Sequence, residues 1–387
     1  MVKKTDPPLR LKILYFSRDY TPHDYRFLSA LEKTGHQVAY LRLENNGRVF
    51  EERPLPPGIE KIAWVGGTSP ARFQDGLRLL ADLKRVIRAY KPDLIHAGPL
   101  QTSAFLVALA GFQPLVSMSW GYDLLFDAER NFWWRWATRY TLKHTAVMIG
   151  DCATIRQKAI TYGMPDKRIV TFPWGVDINY YRPLSPGFRS SSLRSHLGWG
   201  EETFVIISTR SWSPLYGVEE LARAFVYVAQ QRPELRLLML GDGPQATLIR
   251  QIFSEGGVLN RVHFPGQVKQ MDLPDYYRAA NLYISNSHSD GTSISLLEAM
   301  ACGCPVLVSD IPGNREWVGE SEINPVGWLF PGGDIPALAG AILRCVEQCE
   351  RLPEMGQAAR LLVKQRGDWA KNFPRLLQAY EMAIGGL

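Results

Sequence analysis

Short apolar runs, bounded by small polar residues, recur along this chain with room for one helix between neighbours. Segments 11–16, 37–43, 93–96, 115–118, 147–149 and 170–172 read as strands. Between the first two, 25–34 reads as a helix stopped by Gly35, and 82–90 reads as a helix that ends before Pro92. A Pro/Ser/Gly-rich stretch, 182–193, then interrupts the pattern and reads as a linker. The alternation restarts at 204–208 and runs through 281–285 and 305–309 to 328–330, with a final helix over 368–384. Strands alternating with helices predict doubly wound parallel sheets. At 387 residues, 46% hydrophobic and 21% charged, the chain is long enough for two ordinary globular domains.

The most informative stretch is 287–304, Ser-His-Ser-Asp-Gly-Thr-Ser-Ile-Ser-Leu-Leu-Glu-Ala-Met-Ala-Cys-Gly-Cys. A strand precedes it and another follows. Between them 292–302 reads as a helix, with Ile294, Leu297 and Ala301 at apolar spacing. The helix opens at Gly291-Thr292-Ser293, where free N–H groups and the positive dipole end make an anion site. Asp290 stands just before that opening and Glu298 about two turns inside it. A capped helix after a strand would account for Asp290 and Thr292 but not for Glu298. Phosphate-binding N–H groups flanked by hydroxyl acceptors suit a nucleotide-sugar.

On these residues the chain resembles the GT-B glycosyltransferases of family four, retaining enzymes marked by two acidic residues with seven between them at a Gly-containing helix start. Further matches run along the chain in the family's order: Thr209-Arg210 with Tyr216-Gly217, Gly241-Asp242-Gly243-Pro244, Gly266-Gln267-Val268, 91–96 (Lys-Pro-Asp-Leu-Ile-His), and 174–177 (Trp-Gly-Val-Asp). The resemblance implies an α/β GT-B fold, two Rossmann-like doubly wound domains facing across a cleft. An N-terminal acceptor-side domain is expected over 1–185, a nucleotide-sugar domain over 186–367, and a helix over 368–387 crossing back to the first domain. It also implies sugar transfer from a UDP-, GDP- or ADP-linked donor to a hydroxyl, with retention, the leaving phosphate helping to deprotonate the acceptor. No metal and no separate cofactor is expected.

The catalytic candidates are Asp290, Arg210 and Glu298. Glu298 would hold the ribose hydroxyls, Asp290 the transferred sugar, and Arg210 the departing diphosphate. Tyr216, Gly291, Thr292, Ser293, Ile294, Val268 and Gly241 complete the donor side. An alternative for Arg210 is a salt bridge to Glu219 or Glu220. Two positions depart from the family: Asp290 replaces the usual Glu, and Tyr216 the usual Lys, so one diphosphate cation is missing. That substitution keeps open a donor-binding but inactive partner of another transferase; a GT-B sugar-nucleotide epimerase is the other alternative. On the acceptor side, Trp120 stands where relatives often have His, with Asp123 beside it. His96 ends a strand and is equally explained as a structural histidine. His23 lies in the first strand–helix loop, where relatives often carry glycines.

Net charge is +6, and residues 1–180 hold the whole excess, with 25 Lys and Arg against 17 Asp and Glu. Within that half, 131–140 (Asn-Phe-Trp-Trp-Arg-Trp-Ala-Thr-Arg-Tyr) places Phe132, Trp133, Trp136, Ala137 and Tyr140 on one helix side, with Arg135 and Arg139 elsewhere. Core packing and an interfacial helix touching lipid headgroups both fit. A lipid-linked or glycan acceptor is expected, and no nucleic acid. No apolar run of membrane-spanning length and no signal core is visible, so a cytoplasmic protein at the inner membrane face is expected. The five cysteines read as buried thiols, with Cys345 and Cys349 on one helix face.

Overall fold

The computed structural model describes residues 10–184, 192–319 and 325–386. The chain folds as two compact units, Met1–Phe172 joined by Phe373–Leu387, and Pro173–Asn372. The expected linker at 182–193 falls largely on 185–191, outside the described residues. Residues 173–184 lie with the second unit because their backbone is tied there: Val176 N–H donates to Gly367 (2.8 Å) and Trp369 N–H to Val176 (3.0 Å).

The first unit is a seven-stranded parallel sheet. Its strands are β1 (Lys12–Ser17), β2 (Gln37–Arg42), β3 (Glu60–Lys61), β4 (Leu94–Gly98), β5 (Leu115–Met118), β6 (Val147–Gly150) and β7 (Ile169–Thr171), in the order β3-β2-β1-β4-β5-β6-β7. Every residue of β4, β5 and β6 is buried. Central strands of a parallel sheet covered on both faces must be apolar throughout, hence the continuous runs. Helices Gly76–Tyr90 and Ser103–Ala110 cover one face, Leu79, Leu83, Val86 and Val107 packing on Leu14, Phe16 and Ile95. The C-terminal helix Pro374–Ile384 packs on β4 to β7. The expected single helix over 368–384 is instead two, Trp369–Asn372 and Pro374–Ile384, because Pro374 cannot continue the first.

The second unit holds β8 (Phe204–Ser208), β9 (Leu235–Leu240), β10 (Val262–Gly266), β11 (Leu282–Ser285), β12 (Val306–Ser309) and β13 (Gly327–Phe330), all parallel, in the order β10-β9-β8-β11-β12-β13. Helices Val218–Gln231, Ala246–Glu255 and Ile335–Glu347 bury one face, and Leu273–Ala279, Ile294–Ala301 and Leu352–Arg366 the other. Cys345 lies within its helix while Cys349 opens the 3-10 turn after it, so the two share no helix face. All five cysteines are free thiols, four of them buried.

In each unit the strand order reverses once, between β1 and β4 and between β8 and β11. Chains leaving the carboxyl ends of those two strands go to opposite sides and leave a crevice where ligands of open α/β sheets bind.

Candidate functional site

At the second unit's switch point, β8 runs out into Thr209-Arg210, and β11 into the loop 286–293. The Arg210 side chain is 12% exposed and meets three kinds of partner. Its Nη2 donates to Asp290 Oδ2 at 2.8 Å, and its Nη1 to Ser293 Oγ at 2.8 Å and Ser295 Oγ at 3.4 Å. Its Cζ lies 4.1 Å from the centre of the Tyr216 ring. Nε is buried and donates to nothing. Burial opposes the charge, but Asp290 and then the phenols of Tyr216 and Tyr283 outweigh it and hold the guanidinium above its ordinary pKa.

The alternative pairing of Arg210 with Glu219 or Glu220 does not form. Glu219 holds Arg223 at 2.9 Å, and Glu220 accepts from or faces His288 Nε2 at 3.0 Å. Arg210 therefore meets its anion across the crevice, not on the neighbouring helix.

Helix Ile294–Ala301 begins later than the 292 start expected, with Ser293 at its N-cap. Ser293 makes no side-chain cap bond, because its hydroxyl accepts from Arg210 instead. A first turn without a side-chain cap from Ser293 thus begins beside a guanidinium, and the N–H groups and positive dipole end of a helix start favour an anion there. The loop that leads into it is packed without slack. Gly313, in the next helix, abuts it so closely that a Cβ there would stand 2.3 Å from the Gly291 carbonyl oxygen. Glu298 is 5% exposed and accepts from the Tyr277 hydroxyl at 3.0 Å, while Tyr277 reaches Thr209 Oγ1 at 3.4 Å. Glu298 is thereby linked to the end of β8 next to Arg210.

Tyr216 closes the 3-10 turn Pro214–Tyr216. Gly217 follows at φ +58°, and a Cβ there would stand 2.2 Å from the Asn286 carbonyl oxygen. Only glycine lets this turn rest on the β11 loop, where Asn286 Nδ2 donates to the Gly217 carbonyl at 3.1 Å. The turn is fixed there, and the phenol ring stays under Arg210. Gly241 is a structural turn, its N–H donating to Gly266 at 2.8 Å, and Trp212 Nε1 donates to Leu240 at 3.0 Å beside it. Val268 is half-buried against the core that includes Leu296 and Leu297.

Sequence reasoning missed Ser295, Tyr277 and Tyr283. Tyr283 Oη lies 2.8 Å from Ser295 Oγ, and Ser295 Oγ 3.1 Å from Ser293 Oγ, so hydroxyls line the guanidinium's edge. The Ser-Ile-Ser repeat at the helix start was a usable signal for Ser295. Nothing local marks Tyr277, whose reach depends on how its helix packs.

In the first unit, His23 lies in a helix and not in the expected loop, because helix Pro22–Glu32 begins three residues before position 25. Thr21 and Asp24 close a capping box there: the Thr21 N–H donates to Asp24 at 2.8 Å, and the Tyr15 hydroxyl donates to it at 3.1 Å. Asp24 is sealed, and burial pushes its carboxyl up to about 6. The half-buried rings of His23 and Trp120 meet at 5.3 Å, with burial and then Arg26 lowering His23 to about 3. Trp120 follows β5, and His23 opens the helix after β1, beside the switch point.

His96 and Asp123 present no surface to a ligand here. Asp123 accepts from Ser119 Oγ (2.6 Å) and from the N–H groups of Trp120 (3.0 Å), Leu100 (3.0 Å) and Leu124 (3.1 Å), and burial pushes it up to about 6. It fixes the backbone that carries Trp120. His96, 0% exposed, has Nδ1 2.7 Å from the Tyr380 hydroxyl and its ring edge-on to Tyr15 at 4.8 Å; burial lowers it to about 3.

Helix Phe132–Lys143 buries Ala137, Thr138, Thr141 and Leu142. Phe132, Trp133 and Trp136 are exposed at 69%, 71% and 43%. Core packing is thus overturned for those three, and Ala137 turns inward, away from them. Arg135 and Arg139 are exposed alongside. Among the described residues no helix is long and apolar enough to cross a membrane, and no metal-binding cluster is present.

Two family models match the chain, "Glycosyl transferases group 1" over residues 190–362 and "Glycosyltransferase Family 4" over 23–180. The D-inositol 3-phosphate glycosyltransferase of Thermobispora bispora is 26% identical over 58% of this chain and 52% of its own length. The sulfoquinovosyl transferase of Arabidopsis thaliana is 24% identical over 81% of this chain and 59% of its own. The chain thus spans little more than half the length of these relatives. Among solved structures, Anabaena HepE in complex with UDP-glucose superposes with TM-score 0.79 at 23% identity, over 96% of this chain and 100% of that one. WaaG, a glycosyltransferase involved in lipopolysaccharide biosynthesis, does so with TM-score 0.74 at 16% identity, over 96% and 100%. Both likenesses are of fold.

Proposed function

The chain belongs to the glycosyl transferases of group 1, family four of the GT-B fold, and we propose that it moves a sugar from a nucleotide-diphosphate donor to a hydroxyl acceptor with retention and without a metal. One observation carries this reading: Arg210 held at the switch point beside an uncapped helix start. Charge develops on the leaving diphosphate in the transition state, and a guanidinium plus first-turn N–H groups stabilise it without reorganising. The same two elements supply the positive charge that a divalent ion would otherwise bring.

Asp290 holds Arg210 at 2.8 Å. An arriving diphosphate offers Arg210 a stronger partner, and Asp290 is then released to accept hydroxyls of the transferred sugar. Glu298 receives the ribose diol, with Tyr277 fixing its orientation. Tyr216 carries no charge, yet the stack it forms keeps the remaining cation in place, which favours an active transferase over an inactive partner. His23 and Trp120 form the sugar side of the first unit. Acceptor delivery rests on helix Phe132–Lys143, whose exposed aromatic and basic face suits a lipid-linked acceptor at an anionic membrane surface.

Glu298→Gln tests the donor site. Titration of UDP-, GDP- and ADP-sugars by thermal shift identifies the donor, and the variant then weakens its binding by about tenfold or more. Unchanged donor affinity and transfer in Glu298→Gln would sink this assignment.

A further inference from the structure

The first unit has a second apolar tip, far along the sequence from helix Phe132–Lys143. Phe73 is fully exposed and Leu77 is 84% exposed. They stand four residues apart where the 3-10 turn Phe73–Asp75 runs into helix Gly76–Tyr90, so they share one face. Exposed Arg72 and Arg78 flank them. A single apolar side chain in water needs no explanation, but a paired tip with basic neighbours does.

Topology places this tip with the aromatic helix. Helix Gly76–Tyr90 leads into β4 and helix Phe132–Lys143 into β6, and the sheet is all parallel. Both helices therefore begin at the carboxyl end of the sheet, with exposed Phe73 and Leu77 at the start of one and Phe132 and Trp133 at the start of the other. Helix Ser103–Ala110 lies between them and touches both. Packed helices sit roughly 10 Å apart, so the two tips are separated by about 20 Å.

We propose that the two tips together form a two-point docking surface for an anionic lipid bilayer. The proposal rests on the lipid-facing reading of helix Phe132–Lys143 and goes beyond it, because one helix can roll on a membrane whereas two separated tips fix how the unit stands. The charge pattern selects the occupant. Arg72 and Arg78 outnumber Asp75 at one tip, and Arg135, with Arg139 about one turn farther along, gives the other a positive flank, which matches anionic headgroups above an acyl layer. Bound this way, the carboxyl end of the sheet, with Trp120 and His23, is held toward the surface that carries the acceptor.

Flotation with phosphatidylglycerol/phosphatidylcholine vesicles at low salt tests it, on the full chain and on the double variants Phe73→Ser/Leu77→Ser and Phe132→Ser/Trp133→Ser. All four positions are exposed, so the fold is not at stake, and thermal melts check this. Each double variant is expected to lower partitioning by about tenfold, and the quadruple variant to abolish it, with salt weakening the wild type. Wild-type partitioning by Phe73→Ser/Leu77→Ser would overturn the second tip while leaving the aromatic helix standing. A wild-type chain that ignores anionic vesicles would overturn both. A vesicle-free dimer dissolved by Phe73→Ser/Leu77→Ser would overturn the lipid assignment in favour of a second copy of the chain. Donor-induced thermal shifts on the same samples separate any of these failures from failure of the transferase reading.

Discussion

The two units share one strand order and one kind of switch point, yet they treat polar groups in opposite ways. At the second, Arg210 is kept charged, ringed by Asp290, Ser293, Ser295 and Tyr216, with its Nε still unpartnered. At the first, His96, Asp24 and Asp123 are sealed at 0% exposure, and burial drives each toward its neutral form. On the proposed reading, a crevice that takes up an anionic leaving group maintains a cation there against desolvation. A crevice that must hold an aromatic side chain rigidly spends its polar groups on hydrogen bonds to its own backbone. Same topology does not dictate same electrostatics.

The sharpest break of this comparison is Arg210→Ala. It should lower transfer, or slow donor hydrolysis by the chain alone, by about a hundred- to a thousandfold, as loss of a preorganised charge donor does. Arg210→Lys should restore about a tenth at most, since an ammonium has neither the fork nor the planar stack. Full activity in Arg210→Ala would remove the contrast between the units.

Next in size is His96→Phe, which probes the sealed side. It leaves the Tyr380 hydroxyl without its partner and should cost the first unit about 1–3 kcal/mol at pH 7 in denaturant unfolding. The pH dependence separates titration from packing. His96 and His23 have folded pKa values near 3, depressed from 6.5, so the stability they contribute is present above 6.5 and lost as pH falls. Asp24 and Asp123 have folded values near 6, raised from 3.8, so theirs is complete below 3.8 and lost as pH rises through 6. Between about 6 and 4 the two pairs oppose each other, and their contributions to the wild-type slope nearly cancel. His96→Phe removes one opposing group, so relative to wild type its stability should rise toward acid pH by about 1.4 kcal/mol per unit across that window. An unchanged slope would mean His96 titrates normally in the folded state.

The smallest effect sharpens the other side. Tyr216→Phe keeps the ring under Arg210 and should bind donor within about twofold of wild type, while Tyr216→Leu should lose about three- to fivefold. Equal affinity for Phe and Leu variants would show that the stack does not position Arg210.

Legibility followed the range of the interaction. The central strands were visible because burial on both faces makes them apolar without interruption, as at Leu115–Met118 and Phe204–Ser208. The start of the first helix was placed late because its cap, Thr21 with Asp24, sits behind Pro22 and His23, which look like loop residues. Around the candidate site, the order Arg210, Tyr216, Asp290, Glu298 could be read, but not which of them touch. Tyr283 and Tyr277 stayed hidden, since a tyrosine in a buried strand or helix carries no local mark of where its hydroxyl ends.

By itself, then, the sequence determined the alternation of strands and helices, the presence of a helix between β11 and β12, and Arg210 as the charged residue at the end of β8, because periodicity, glycine placement and charge are properties of neighbours in the chain. Tertiary structure alone decided that Arg210 pairs with Asp290, eighty positions away, and not with Glu219. It alone sealed His96 under Tyr380, 284 positions on, and turned Trp133 outward while Ala137 went in. Those outcomes depend on strand order and on which helix face finds the sheet, and long-range packing settles both only once the whole unit is assembled.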